Sequence, residues 1–219
     1  IHERLVGSEM CIRDRYKTGN REKERGAGMA TPMFIVTGFL DSGKTTMIKD
    51  TLMEQEWIEP GLTLLLLCEE GEEEYPEEYL KEKNMAVLKI EEFEQLNTVF
   101  FKNCERNYHP AQIVIEYNGM WKLEDLLSIR YPRSFELQGV YSTVNGMTLD
   151  MYLMNMRNML MEQLTESELI VVNRCADGVN RSGFRRALKV QNPMAQLLFE
   201  DMQGKIIEPS EEDLPYCLL

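Results

Sequence analysis

The chain has 219 residues, with 37 acidic against 24 basic side chains and a formal net charge of −13. That balance excludes an electrostatic grip on nucleic acid or an anionic membrane surface, where Lys and Arg must neutralise phosphates. No apolar run approaches the roughly 20 residues needed to cross a bilayer, and the opening residues lack the apolar core of a secretory signal, so a cytoplasmic protein with no membrane insertion is expected.

Residues 1 to about 28 are polar and charged without strand or helix periodicity, and are expected to form a leader outside any core. The run from Leu5 to Arg15 resembles the translated read-through of a sequencing adapter, which places the expected start at Met29 or Met33 and sets aside His2 and Cys11. From there to about residue 205 the pattern becomes regular. Residues 33–37 read as a short apolar strand, followed by a Gly-containing turn and a helix from Lys44 to about Glu56 with Met47, Ile48 and Leu52 inward. Residues 62–68 are almost continuously apolar, the mark of a strand buried on both faces and therefore of a parallel sheet. Further strands are expected at 85–90, 111–116, 137–144, 169–173 and 196–199.

Between them lie helical stripes. Phe93, Leu96, Phe100 and Cys104 form one. A second helix, over 148–165, carries Leu149, Leu153, Met156, Leu160 and Leu164, and its additional methionines read as core filler. Strands alternating with helices predict an α/β fold, an open and mostly parallel sheet flanked by helices on both faces, with ligands at the carboxyl ends of the strands. Residues 206–219 read as an acidic tail, the truncated link to a C-terminal domain. The five cysteines, Cys11, Cys68, Cys104, Cys175 and Cys217, are scattered, with no CxxC pair and no His at zinc-ligand spacing, which fits free thiols in a reducing compartment.

Chemistry concentrates at the ends of these strands. Gly38-Phe-Leu-Asp-Ser-Gly-Lys-Thr45 satisfies GxxxxGK[ST] between a strand and a helix, the context a phosphate-binding loop requires. Its glycines let the backbone wrap closely, the amides of Asp41, Ser42, Gly43 and Thr46 face phosphates, Lys44 neutralises the terminal ones and Thr45 holds magnesium. An acid at the end of a neighbouring strand should complete the metal site, and Glu116 supplies it. Gly119 then brings a bare backbone amide towards a terminal phosphate. Asn173-Arg174 sits where guanine-binding proteins carry N[KR]xD, and Asn173 can bond the base while the Arg174 stem covers it, but position 176 is Ala and Asp177 arrives one residue late, so guanine is expected with a loop adjustment and adenine stays open. The acidic cluster Glu69, Glu70, Glu72, Glu73, Glu74, Glu77 and Glu78 follows the second strand, either a functional loop or a solvated face. His109, before Pro110, reads as a surface or capping residue.

Gly38–Thr46, the Glu116-Tyr-Asn-Gly119 step, Asn173-Arg-Cys and Asn192-Pro-Met-Ala195 together resemble the CobW family of P-loop GTPases over residues 33 to about 200. The resemblance implies a P-loop NTPase three-layer fold, magnesium-dependent GTP hydrolysis and a role in metal or cofactor handling. It also implies an unidentified partner protein, and a homodimer is left open. It places Glu69 in the nucleotide and metal region, because Cys68-Glu-Glu-Gly71 occupies the position of the family's Asn-Glu-Phe-Gly-like step. The family's CxCC motif is missing: Ile90-Glu-Glu-Phe93 stands in its place, so transition-metal delivery does not carry over. Cys68 beside carboxylates is a poor substitute, one soft thiolate among hard oxygens. Two other readings remain, an ATP-using P-loop kinase or assembly ATPase, and a nucleotide-regulated binding module with negligible turnover.

Overall fold

The structure, a computed structural model, describes residues 30–55, 58, 60–71 and 73–207. The expected leader with His2 and Cys11, the end of the first helix at Glu56, Glu72 in the acidic cluster, and Cys217 with the tail from 208 onward lie outside the described residues.

Seven strands form one sheet: β1 Thr31–Thr37, β2 Thr63–Leu67, β3 Met85–Lys89, β4 Gln112–Glu116, β5 Phe135–Asn145, β6 Leu169–Cys175 and β7 Gln196–Asp201. Their order is β3-β2-β4-β1-β5-β6-β7, and every pairing is parallel. Parallel neighbours need a crossover between them, and the helices supply it. They are α1 Lys44–Asp50, α2 Glu77–Glu82, α3 Thr98–Tyr108, α4 Leu123–Leu127, α5 Leu149–Asn155, α6 Arg157–Leu164 and α7 Arg181–Gln191.

Side chains alternate across the sheet with the two-residue period of a strand. Met33 and Ile35 enter a cluster with Phe101, Cys104, Leu123 and Leu126 from α3 and α4, while Phe34 and Val36 enter another with Met47 and Ile48 of α1. Ile170 and Val172 of β6 join Leu149, Leu160, Leu164, Phe184 and Leu188 of α5, α6 and α7. Two covered faces make the three-layer α/β arrangement, and they explain why β2 reads as an almost unbroken apolar run.

Three helices depart from the periodicity. The first stops at Asp50, seven residues long, and continues as a single 3-10 turn at Leu52–Glu54 that still buries Leu52 and Met53. Phe93 and Leu96 are not on the helix of Phe100 and Cys104: Phe93 starts a 3-10 turn, Phe93–Gln95, closed by a capping box between Glu92 and Gln95, Leu96 follows it in extended conformation, and Asn97 then caps α3 afresh. The continuous helix over 148–165 is broken at Met156, whose φ of −135° cannot propagate a helix, so α5 and α6 are separate. The break also splits the methionines. Met161 is buried, whereas Met151 and Met154 of α5 are exposed, so core filling describes only part of that set. His109 ends α3 at φ 44°, the expected capping role, in the left-handed region.

Phe101 is fully buried beneath β4, with its ring centroid 4.7 Å from that of Tyr131. Phe101→Ala should destabilise the fold by about 3–5 kcal/mol in a urea titration, the usual cost of a large buried aromatic left as a cavity.

Candidate functional site

From β1 the chain steps to β2 and on to β3, returns to β4 beside β1, and then crosses to β5 on β1's other side. Such a reversal leaves a crevice at the carboxyl edge of the sheet, where ligands of open α/β folds bind. The register brings the sequence-predicted residues to that edge together. Glu116 pairs with Val36 of β1 and with Leu67 of β2, so Glu69 emerges two residues past the same level, and Asn173 pairs with Asn145 of β5.

Gly38–Thr45 joins β1 to α1. Asp41 has φ 56°, and Gly43, the residue before the helix, has φ 96°, a conformation that disfavours any side chain. A Cβ at Gly43 would also lie 2.5 Å from Asn173 Nδ2. Lys44 is 4% exposed and its Nζ donates to Gly38 O at 2.9 Å, to Phe39 O at 3.0 Å and to the Glu69 carboxylate. Two carbonyls and one carboxylate thus compensate a buried ammonium that would otherwise be costly to desolvate.

Thr45 Oγ1 donates to Glu116 Oε1 at 2.8 Å. The other carboxylate oxygen, Oε2, accepts from Tyr75 OH at 2.5 Å. Burial pushes the Glu116 carboxyl above its usual range, while the Tyr75 and Thr45 hydrogen bonds and the Lys44 charge pull the other way. These are hard oxygen donors, with one carboxylate and one hydroxyl on adjacent elements, a set of the kind magnesium takes when phosphate oxygens and water complete its shell. Among the described residues no group of three or more His, Cys, Asp or Glu side chains could hold a metal ion by itself. Cys68 is buried near Glu116, which pushes its thiol up to about 12 through burial first and the carboxylate second.

Gly119 lies against the loop. A Cβ there would fall 2.2 Å from Gly38 O and 2.7 Å from Phe39 Cα, so only glycine fits. Asn118 holds this turn to β2 by donating Nδ2 to Cys68 O at 3.2 Å, while its Oδ1 accepts from Met120 N at 2.9 Å.

Asn173 Nδ2 donates to Ser42 O at 2.7 Å, and Arg174, at φ 51°, reaches Asp41 O at 2.7 Å. The strand end that reads a base in N[KR]xD proteins is therefore tied to the phosphate loop. Asn173 Oδ1 is buried with no hydrogen-bond partner among the described residues, an acceptor still to be satisfied. Asp177 is exposed in the turn just past β6.

The acidic cluster is only in part a solvated face. Glu69 meets Lys44, Glu70 meets Lys89, and Glu73 accepts from Thr46 Oγ1 at 3.0 Å with Lys49 at 3.4 Å. With Tyr75 on Glu116 and Tyr79 OH on Lys49 O at 3.2 Å, the segment 69–79 is laced across α1. Sequence reasoning missed Tyr75 and gave Glu73 only as one of the cluster. A tyrosine two residues beyond a glutamate carries no motif, and its partner is 41 positions away.

The profile described as "CobW/HypB/UreG, nucleotide-binding domain" matches residues 32–198. No curated protein sequence matches the chain. Among solved structures, hydrogenase maturation factor HypB from Archaeoglobus fulgidus is 15% identical with a TM-score of 0.55, covering 91% of this chain and 93% of HypB. Zinc-bound YjiA GTPase from E. coli is 19% identical with a TM-score of 0.53, covering 87% of this chain but only 61% of YjiA. A zinc-bound triple mutant of YjiA gives 0.54 at the same identity and coverage. At such identities the likeness is one of fold. No helix among the described residues is long and apolar enough to cross a membrane.

Cys68, Cys104 and Cys175 are free and at most 3% exposed. Thiols so buried should resist a thiol-specific disulfide reagent at pH 8, so at most two of the five react before denaturant is added and the remainder afterwards. Reaction of three or more in the native protein would contradict this packing.

Proposed function

This chain belongs to the CobW/HypB/UreG nucleotide-binding family, and from that premise we propose that it is a magnesium-dependent GTPase. The observation that carries the reading is a convergence at one sheet edge: the Lys44 ammonium, the Thr45–Glu116 oxygen pair and the bare backbone of Gly119 all surround the loop that begins at Gly38.

Each group has a task in phosphoryl transfer, which depends on positioning and on charge stabilisation far more than on covalent chemistry by the protein. Lys44 exchanges its Gly38, Phe39 and Glu69 partners for phosphate oxygens and neutralises the charge that builds there. The amides of Asp41, Ser42, Gly43 and Thr46 wrap the phosphate chain. Thr45 and Glu116 would hold magnesium, which when bound neutralises charge on the terminal phosphates. Gly119 offers its N–H to the terminal phosphate. Glu69, released from Lys44, would orient the attacking water by accepting a hydrogen bond from it. Asn173, whose Oδ1 is unpartnered, would hydrogen-bond the base, the Arg174 stem would cover its face, and Asp177 would meet the guanine amino group after a loop adjustment.

The lacing of residues 69–79 over α1 favours a second task on the same site. If Lys44 gave up Glu69 and Glu116 gave up Tyr75 on ligand binding, the acidic surface segment would rearrange, presenting or withdrawing a docking face for a partner protein. In that setting hydrolysis times an assembly step in metal or cofactor handling. The work takes place in the cytoplasm, where the buried thiols stay reduced.

Lys44→Ala should abolish binding of a fluorescent GTP analogue while circular dichroism stays unchanged. Retained affinity would reject the site. In competition, unlabelled GTP should displace the analogue at least tenfold better than ATP. Equal displacement would turn the reading towards an ATP-using P-loop enzyme, and single-turnover hydrolysis near zero with tight GTP binding would leave only the binding module.

A further inference from the structure

Gln163 stands behind the site rather than in it. It lies on α6, 3% exposed, and both ends of its amide are engaged. Its Oε1 accepts from Thr37 Oγ1, and its Nε2 donates to Trp121 O at 2.7 Å. Thr37 is the last residue of β1, directly before Gly38, and Trp121 lies two residues past Gly119. One side chain therefore spans the two backbone segments that meet in front, where Gly119 lies against Gly38 O. Gln163 is itself fixed, because Ser142 Oγ of β5 donates to its backbone carbonyl at 3.1 Å and lies 2.5 Å from Ser167 Oγ.

An uncharged amide suits this position for a chemical reason. Its oxygen accepts a hydrogen bond from a hydroxyl at one end, and its N–H donates one to a carbonyl at the other. Glutamate would set a buried charge against the Trp121 carbonyl, and methionine would fill the space while leaving the Thr37 hydroxyl and the Trp121 carbonyl unpaired. Gly119 is then located by contact with the phosphate loop on one side and by this bridge on the other. A shift of about 1 Å in such a loop suffices to misplace a hydrogen-bond donor.

We propose that Gln163 is a positioning residue for terminal-phosphate recognition: by bridging Thr37 and Trp121 it holds the Gly119 backbone in register with the loop at Gly38, and so sets the preference for triphosphate over diphosphate. The inference rests on the guanine-nucleotide reading of the site. It assigns to a buried glutamine on α6 a part in specificity, although no atom of Gln163 meets the nucleotide.

The test compares the full chain with Gln163→Met and with Thr37→Val, measuring GDP and a non-hydrolysable GTP analogue by calorimetry in the presence of magnesium. Thr37→Val keeps the shape and removes only the hydroxyl, so it decides the matter should Gln163→Met fail to fold. Both variants should bind GDP within twofold of the unmodified protein and the triphosphate analogue at least tenfold more weakly. A residue that merely supports the core would lower both affinities together or neither, and an unchanged triphosphate-to-diphosphate ratio overturns the proposal. Failure of the unmodified protein to bind either nucleotide would overturn the reading of the site itself, and this inference with it.

Discussion

The backbone of Gly119 lies so close to Gly38 that no side chain can stand between them, and much of the site's arrangement depends on that contact. It fixes how the turn after β4 meets the loop after β1, and parallel pairing of the same two strands fixes everything below it: Val36 is level with Glu116, so the carboxylate arrives where Thr45 can reach it. The sheet order contributes the rest. With β1 between β4 and β5, the loop that follows it has Glu116 on one side and Thr143 on the other, and Thr143 Oγ1 lies 2.7 Å from Ser42 Oγ. A cavity of about 210 Å³ opens on that second side, between the loop and Tyr152 of α5.

Electrostatics shapes the site as strongly as packing. Lys44 and Glu116 are both almost fully buried, in a protein interior that disfavours either charge alone. Each is supplied with compensating groups: two carbonyls of its own loop and the more remote Glu69 for the ammonium, Thr45 and Tyr75 for the carboxylate. These partners are the kinds of group that a phosphate and a hard cation replace with little net change in hydrogen bonding. A ligand bound through Lys44 and Glu116 would have to exchange the contacts with Glu69 and Tyr75 that now satisfy them.

Much of the fold was legible because it is written in local pattern. The strands are marked by short apolar stretches, unbroken in β2 and interrupted by polar residues in β5, and the phosphate loop announces itself through residue types that its backbone conformation and chemistry require. What was not legible is pairing over distance. Nothing near Gln163 in sequence indicates that its amide meets Thr37, 126 positions earlier, and Tyr75 owes its place on Glu116 to the route of a loop. Periodicity also overran its evidence at Met156, where the apolar stripe continues although the backbone breaks. A stripe records which side chains face the core, and two short helices can share one as well as a single long helix can. The acidic cluster was ambiguous for a related reason, since composition gives the charge of a segment but not its partners.

Those partners give the cluster its physical sense. In a chain of net charge −13, a run of carboxylates at the mouth of a phosphate site would repel the ligand if it were merely solvated. Instead Glu69, Glu70 and Glu73 meet Lys44, Lys89 and Lys49, so much of the local charge is neutralised within the protein. Only the Lys44–Glu69 pair is well buried, the exposed pairs being individually weak. The segment is therefore held mainly by the two contacts that enter the site, Glu69 on Lys44 and Tyr75 on Glu116, and lightly by those outside it.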